Sequence, residues 1–272
     1  MMNTSPDILF LSHGGGPLPL LGDPDHQEMV ESLKGIANVI SKPSAILIIS
    51  AHWEASVPTI TSGAAPELIY DYAGFPPEAY RIQYPCQGEP ELAHQVSRAL
   101  ENAGIPAQQD AQRGFDHGVF VPLKIMYPEA DIPCVQLSLV NNLDADTHLA
   151  IGQALKSLER ENLLVIGSGF SFHNMREFFS PITPDSQAKN KAFEDWLVTT
   201  CSSKDIDEAE RTRRLANWDK APHARFCHPR EEHLLPLHVC YGLAGRPSDQ
   251  QLSATILNKA AGMFYWSRKS AK

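Results

Sequence analysis

The chain has little cysteine and no closely spaced pair of cysteines. Its five cysteines lie far apart among 272 residues, and no CxxC motif occurs. An odd number at such wide spacing argues against a disulfide framework and against a zinc site built from thiolates. Buried or incidental thiols are therefore the expected role of Cys86, Cys134, Cys201, Cys227 and Cys240.

Long apolar runs and basic clusters are also missing. No apolar run approaches the roughly 18 residues of a membrane span, and the N-terminus MMNTSPDILFLSHGG lacks the basic region and cleavage site of a signal peptide. A formal net charge of −9 without basic runs disfavours nucleic acid and anionic membranes as partners. These features predict a soluble, cytoplasmic protein and leave its oligomeric state open, a homo-oligomer included.

Several well-known catalytic motifs are absent. The Gly167–Gly169 stretch is too short for a GxGxxG dinucleotide fingerprint, and neither GxxxxGK[ST] nor GxSxG occurs. Ser12 directly precedes His13, which is poor geometry for a serine nucleophile and its base. The sequence therefore gives no support to a Rossmann-type, P-loop or serine-hydrolase function.

Short apolar segments alternate with helical patterns along the chain. Four continuous apolar runs, bounded by turn formers, predict strands buried on both faces at 8–11, 45–50, 132–139 and 163–166. Apolar residues at helical spacing predict helices over 27–40, 90–103, 146–159, 187–200 and 231–242. Because no linker or repeat divides the chain, we predict a single α/β domain over 1–272. Its central, mostly parallel sheet is expected to carry helices on both faces.

Three of the eleven histidines occupy the same kind of position. His13, His52 and His173 each come shortly after a predicted strand. In open α/β sheets the ligand crevice lies outside the carboxyl ends of the strands, so residues remote in sequence meet there. Neutral imidazole is a preferred ligand of zinc, iron and copper. The pattern predicts an active site at the strand ends with one divalent metal ion; hydrogen-bonded structural histidines are the alternative.

Two more histidines join this set. His117 is preceded by Asp116, which is placed to fix its tautomer, although neighbouring side chains often point apart. His233 lies at the start of the last predicted helix, where the helix dipole opposes an imidazolium and favours a neutral, ligating ring. The alternative for both is an ordinary polar loop residue. The remaining histidines have no comparable context and are predicted to lie at the surface or behind the ligands: His26, His94, His148, His223, His228 and His238.

The segment 62–88 is rich in aromatic residues and proline. A loop of this length in a compact domain is typical of a lid or a binding loop. Phe75 and Tyr80 of this segment, together with Trp53 beside His52, are candidates to flank a flat substrate ring. The alternatives are a surface loop for the segment 62–88 and a position in the core for Trp53.

The order of these segments resembles a known family. The matching stretches are LSHGGGP at 11–17, SAHWE at 50–54, GFPPEAYRIQYP at 74–85, a long run over 114–139, GSGFSFHN at 167–174 and EEHLLPL at 231–237. In this order they are similar to the LigB-like class III extradiol ring-cleavage dioxygenases, in particular the DOPA 4,5-dioxygenase branch. The resemblance implies that a small catecholic diol and O₂ are the substrates.

The resemblance also implies a metal site and roles for the five histidines. It implies one non-haem divalent metal, Fe(II) for activity with Zn(II) also able to occupy the site, held by His13, His52 and His233. His173 then corresponds to the acid/base, close enough to join the metal in a resting state, and His117 to a residue that contacts substrate or bound oxygen. The protocatechuate-cleaving relatives use a carboxylate as third ligand. Whether a carboxylate also reaches the metal here therefore stays open for Glu231 and Glu232.

Two other functions remain compatible with the sequence. A zinc hydrolase would use the same histidine cluster to activate water. A non-catalytic, metal-binding protein would keep the fold without the reaction. Metal analysis combined with catechol turnover in the presence and absence of air separates all three.

Overall fold

A computed structural model describes residues 5–268, and one eight-stranded sheet runs through it. The strands are β1 (Asp7–Ser12), β2 (Ala45–Ala55), β3 (Thr59–Thr61), β4 (Gln108–Asp110), β5 (Cys134–Val140), β6 (Leu163–Gly169), β7 (Gln250–Ile256) and β8 (Lys259–Trp266). Their order across the sheet is β4-β3-β5-β2-β6-β1-β8-β7. The central strands β5, β2, β6 and β1 are parallel, so their carboxyl ends meet at one edge.

Helices cover both faces of this sheet. They are α1 (Gln27–Val39), α2 (Pro90–Asn102), α3 (His117–Met126), α4 (Ala145–Ala154), α5 (Met175–Phe178), α6 (Pro184–Ser202), α7 (Glu208–Ala216), α8 (Ala224–Cys227) and α9 (Leu235–Ala244). Short 3₁₀ turns lie at Leu18–Leu21, Pro24–His26, Pro77–Arg81, Leu155–Ser157 and Trp218–Lys220. Within residues 5–268, no helix combines the length and the apolar character that a membrane crossing requires.

The continuous apolar runs arise because the central strands are buried on both sides. In β1, Ile8 and Phe10 belong to the core under α2, α4, α6 and α9, whereas Leu9 and Leu11 belong to the core under α1 and α3. Neither face can therefore be polar, and the alternation typical of a half-exposed strand is lost. The predicted fold, a mostly parallel sheet with helices on both faces, is confirmed.

The C-terminal hairpin and helix α3 were not predicted. Strands β7 and β8 pair antiparallel through a two-residue turn at Leu257 and Asn258, and β8 pairs antiparallel with β1. Both turn residues have positive φ, which marks a primed hairpin turn, yet the usual Asn-Gly signal is absent. Helix α3 contains Pro122, which normally argues against a helix interior.

Candidate active site at the strand ends

The topology brings the five predicted histidines into one cavity. His13 directly follows β1, His173 follows β6, and His52 lies inside β2 beyond the point where its pairing with β6 ends. His117 is the first residue of α3, and His233 precedes α9. All five rings line a cavity of about 310 Å³ at the carboxyl edge of the sheet.

Three of these rings form a tight cluster. Nε2 of His13 lies 3.0 Å from Nε2 of His52. A ring nitrogen of His233 completes a group whose three nitrogens lie within 4.8 Å of one another. The ring centroids are 4.9–5.3 Å apart, so the three rings surround a common point. Three imidazole nitrogens at such distances form a donor set suited to a single metal ion.

Ser168 fixes the tautomer of His13 through a carbonyl that a proline leaves free. Pro122 has no N–H to donate to the carbonyl of Gly118 four residues earlier, so this carbonyl needs another donor. The hydroxyl of Ser168 donates to Gly118 O, and its oxygen lies 3.0 Å from Nδ1 of His13. Because the hydroxyl proton is engaged, Ser168 accepts the Nδ1–H of His13. The Nε2 lone pair of His13 therefore faces the cluster.

Two carboxylates stand behind the other histidines, and each contacts two rings. Oε1 of Glu232 accepts from Nδ1 of His233 at 3.0 Å and lies 3.1 Å from Nδ1 of His173. Oδ1 of Asp71 accepts from Nδ1 of His117 at 2.8 Å, and its Oδ2 lies 3.6 Å from Nδ1 of His52. Each carboxylate thus joins one ring of the cluster to one flanking ring. Since these contacts use Nδ1, Nε2 of each ring is left for the cavity.

Two carboxylates are ionised in this arrangement. Burial alone would raise the pKa of Glu232, but hydrogen bonds from His173 and His233 outweigh it and hold the pKa well below the usual range. Burial would also raise the pKa of Asp71, but hydrogen bonds from His117 outweigh burial, and the pKa is lowered. Ionised carboxylates only accept hydrogen bonds, which is what the Nδ1–H groups require.

The three clustered rings are neutral. Burial, followed by the neighbouring imidazoles, lowers the pKa of His13 and of His52 well below the usual range for histidine. The same causes lower the pKa of His233 to about 3. A neutral ring whose Nδ1–H faces an acceptor presents an Nε2 lone pair, the form that ligates metals. Lone pairs that meet at short distance repel one another unless a cation lies between them, so the donor set fits a divalent metal ion.

The partner of His117 differs from the predicted one. Asp116 points away from His117 and accepts hydrogen bonds from Ser50 and Gln136 beneath the sheet edge. Asp71, from the aromatic segment, takes the expected place and also accepts from the backbone N–H of His117 at 2.9 Å. Neighbouring side chains at the start of a helix diverge, which explains why sequence adjacency was misleading here.

The start of the last helix is also shifted. The predicted helix over 231–242 begins at Leu235, so His233 lies in the turn before it and its carbonyl accepts from Phe170 N–H at 2.9 Å. The neutral state of His233 therefore comes from burial and its histidine neighbours and not from the helix dipole. Glu231 forms an ion pair with Arg225 at 2.7 Å, and only Glu232 turns towards the cluster.

Four of the six remaining histidines, which were predicted to lie at the surface or behind the ligands, are buried. His148, His228 and His238 bind backbone groups through their rings. His26 supports the glycine loop that follows His13. Its Nε2 accepts from Gly15 N–H at 2.9 Å, and a Cβ at Gly14 would lie 2.6 Å from its ring, so this loop needs glycine. The surface prediction holds for His94 and His223, which are exposed.

Aromatic and aliphatic side chains form most of the cavity wall. Besides the five histidines, the cavity is lined by Gly14, Gly15, Gly16, Leu18, Tyr72, Phe75, Phe170, Met175, Phe178, Phe179 and Leu257. Among the predicted ring-flanking residues, Phe75 is part of this wall. Tyr80 packs against Tyr70 and Tyr72 in the aromatic segment, behind the lining. Trp53 is buried beneath the Arg113 guanidinium at 4.4 Å, outside the set of lining residues.

Several residues of the site had no distinguishing signal in the sequence. Asp71 lies between two tyrosines in an irregular segment, and nothing in its neighbours indicates a histidine partner. Leu257 sits in a turn that was not predicted. Ser168 lies in the stretch GSGFSFHN, and the one available clue was its position at the end of a strand.

Comparison with known proteins points to one family. Residues 7–266 match the family described as the catalytic LigB subunit of aromatic ring-opening dioxygenase. The chain is 40% identical to the dioxygenase tasH of Hapsidospora irregularis, over 95% of this chain and 85% of that protein. It is 38% identical to a 4,5-DOPA dioxygenase extradiol of Beta vulgaris, over 90% of each chain.

A solved structure supports the fold. An uncharacterized protein of Escherichia coli K12 superposes with a TM-score of 0.75 at 26% identity, covering 98% of this chain and 100% of that one. Together, the family match and the relatives favour extradiol ring cleavage over the zinc hydrolase and the non-catalytic protein that the sequence alone left open. The chain therefore belongs to the LigB family of aromatic ring-opening dioxygenases.

Proposed function

We propose that the chain opens a catechol-type, DOPA-like diol with O₂ at one divalent metal ion held by His13, His52 and His233. The observation that carries the proposal is the convergence of three neutral imidazoles in one apolar cavity. When bound, a divalent ion lowers the proton affinity of the oxygens it binds, and Fe(II) adds redox chemistry that Zn(II) lacks. We therefore propose Fe(II) for activity and Zn(II) as an alternative occupant.

His173 is proposed to accept a proton from the diol. Its ring stacks on His233 with centroids 3.4 Å apart, which places it beside the cluster and along the cavity wall. Glu232 holds its Nδ1, so Nε2 is the nitrogen that takes the proton from a hydroxyl in the cavity. The negative charge of Glu232 stabilises the imidazolium that forms. The same carboxylate orients His233, so proton acceptor and ligand are held by one group.

His117 is proposed to contact the substrate from the opposite side of the cluster. Its ring lies 3.9 Å from that of His52 and 5.5 Å from that of His13, measured between centroids. Asp71 fixes the ring through both its side chain and its backbone. A histidine held this way donates or accepts a hydrogen bond at a fixed point, which orients a diol or a dioxygen molecule.

The cavity suits a single aromatic ring. A volume of about 310 Å³ lies at the small end of the range for ligand sites. Apart from the histidines and Tyr72, its lining side chains are apolar, so a flat ring is desolvated while its hydroxyl groups face the imidazoles. Phe75 is proposed to contact the ring directly. Tyr80 and Trp53 are proposed to act from behind the wall, by holding Tyr72 and the His52 strand in place.

Reconstitution with metal tests the proposed function. Purified protein is loaded with Fe(II) without oxygen, mixed with a panel of catechols, and then exposed to air. We expect O₂ uptake and a yellow semialdehyde, with the Zn(II)-loaded protein inactive under the same conditions. Fe(II) bound at full occupancy with no O₂ uptake for any catechol would contradict the proposal, and hydrolysis by the Zn(II) form would favour a hydrolase.

Ser168→Ala tests whether Ser168 supports His13 as a proposed ligand, without removing the ring. The variant frees His13 to adopt either tautomer, and we expect metal affinity to fall about 10–100-fold, as for other hydrogen-bond partners of ligands. Competition with a chelator measures the affinity. Ser157→Ala, which removes a hydroxyl bound to a helix carbonyl elsewhere, serves as the matched control. Equal metal affinity in Ser168→Ala and wild type would show that the ring needs no such support.

A further inference from the structure

We infer that Leu257 limits the size of the ring substituent that the cavity accepts. Leu257 belongs to the turn between β7 and β8, remote in sequence from every histidine of the site, yet it lines the same cavity. The inference rests on the proposed function, since it concerns the choice among catechols. It assigns a selectivity role to a hairpin that contributes none of the five histidines.

The backbone of Leu257 is unfavourable for a leucine. Residues Ile256 and Lys259 pair across the hairpin, so Leu257 and Asn258 are the two turn residues, with φ of 49° and 61°. Such turns favour Asn, Asp and Gly because a side chain with a bulky Cβ substituent is strained at positive φ. Asn258 follows this preference and Leu257 does not. Strain of this kind persists where the surroundings enforce it, and it often marks a functional position.

Contacts on both sides hold the leucine against the site. Its backbone N–H donates to the carbonyl of Asp25 at 3.2 Å. Its Cδ1 approaches Gly15 so closely that a Cβ there would lie 3.3 Å away. Gly15 is two residues beyond His13, so the leucine packs on the loop that follows a proposed ligand. The side chain is thus fixed relative to the histidine cluster.

The sheet makes this wall rigid. Strands β7 and β8 pair with each other up to the turn, and β8 pairs antiparallel with β1, which His13 directly follows. The turn is therefore anchored to the same strand as the ligand, unlike the wall residues of the aromatic segment and of the α5 region. A wall residue in a tight turn between two paired strands discriminates more sharply than one on a long loop. One methylene group in an apolar pocket changes selectivity about 10–200-fold.

Two substitutions distinguish the effect of the side chain from the effect of the turn conformation. Leu257→Ala shortens the wall and keeps a Cβ at positive φ, whereas Leu257→Gly removes the side chain altogether with a residue that suits the turn. Leu252→Ala is the matched control, because Leu252 is a partly buried residue of β7 in the same apolar cluster but outside the lining residues. Thermal melting verifies that all three variants fold.

The measurement is kcat/KM for catechol and for 4-alkylcatechols of increasing chain length. We expect both Leu257 variants to raise the ratio of long-chain to unsubstituted catechol by at least about 10-fold, with Leu252→Ala unchanged. Calorimetric binding of the same catechols to the anaerobic, Zn(II)-loaded proteins provides a second readout. An unchanged length preference in both Leu257 variants would overturn the inference. If the wild type binds catechols but opens none, the proposed function fails while the binding series still tests Leu257.

Discussion

Replacing His13 or His52 with alanine is expected to remove the bound metal and to reduce ring opening to background. Each substitution takes away one of three Nε2 donors and leaves two, which is too few to hold a divalent ion against water. Because changes to outer hydrogen-bond partners alone cost about 10–100-fold in metal affinity, the loss of a ligand should exceed about 100-fold. Elemental analysis after dialysis and O₂ uptake with a catechol measure the two effects.

His94→Ala is the matched control for these variants. His94 is exposed on α2, so its removal deletes an imidazole without touching the cavity. The control should retain full metal content and activity. Full metal occupancy in both His13→Ala and His52→Ala would refute their assignment as ligands, whatever the activity. The melting temperature of each variant shows whether lost metal reflects a lost ligand or a lost fold.

His173→Ala is expected to keep most of the metal but to stop ring opening. The ring stacks beside His233 and shares Glu232 with it, yet the cluster of three nitrogens is complete without it. Loss of a positioned acid/base typically costs about 10²–10⁴-fold in rate. We expect kcat to fall by this factor while the catechol still binds under anaerobic conditions.

The pattern of losses distinguishes a proton acceptor from a ligand. A ligand variant loses metal and substrate binding together, whereas an acid/base variant loses only turnover. Metal content, anaerobic catechol binding and kcat are therefore measured on the same preparation of His173→Ala. An active variant would remove the assignment of His173 as the base, and a metal-free variant would place His173 among the ligands.

The sequence predicted the central strands well because their signal is local. Strand β1 and strand β6 are apolar on both faces, and each is followed closely by a histidine. Parallel strands end at one edge, so the meeting of His13, His52 and His173 could be predicted from position alone. Helix α3 was missed because Pro122 usually interrupts helices, and the hairpin was missed because Leu257 is not a turn former.

The hydrogen-bond partners of the histidines were beyond prediction from the sequence. Asp116 is adjacent to His117 but turns to Ser50 and Gln136, and Asp71, 46 residues away, takes its place. Glu232 contacts two rings only because the turn before α9 brings it beside both His173 and His233. Such contacts depend on side-chain directions at element ends, where the chain leaves regular geometry and periodicity no longer applies.

By itself, the sequence determined the class of fold and predicted that histidines gather at the carboxyl ends of the strands. Apolar patterning and residue type act locally, so they are readable without coordinates. Only the tertiary structure decided which carboxylate supports which ring, how Pro122 and Ser168 set the tautomer of His13, and that Leu257 lines the cavity. Those features depend on distances between remote segments. Only the packing of the helices and the hairpin against the sheet fixes these distances.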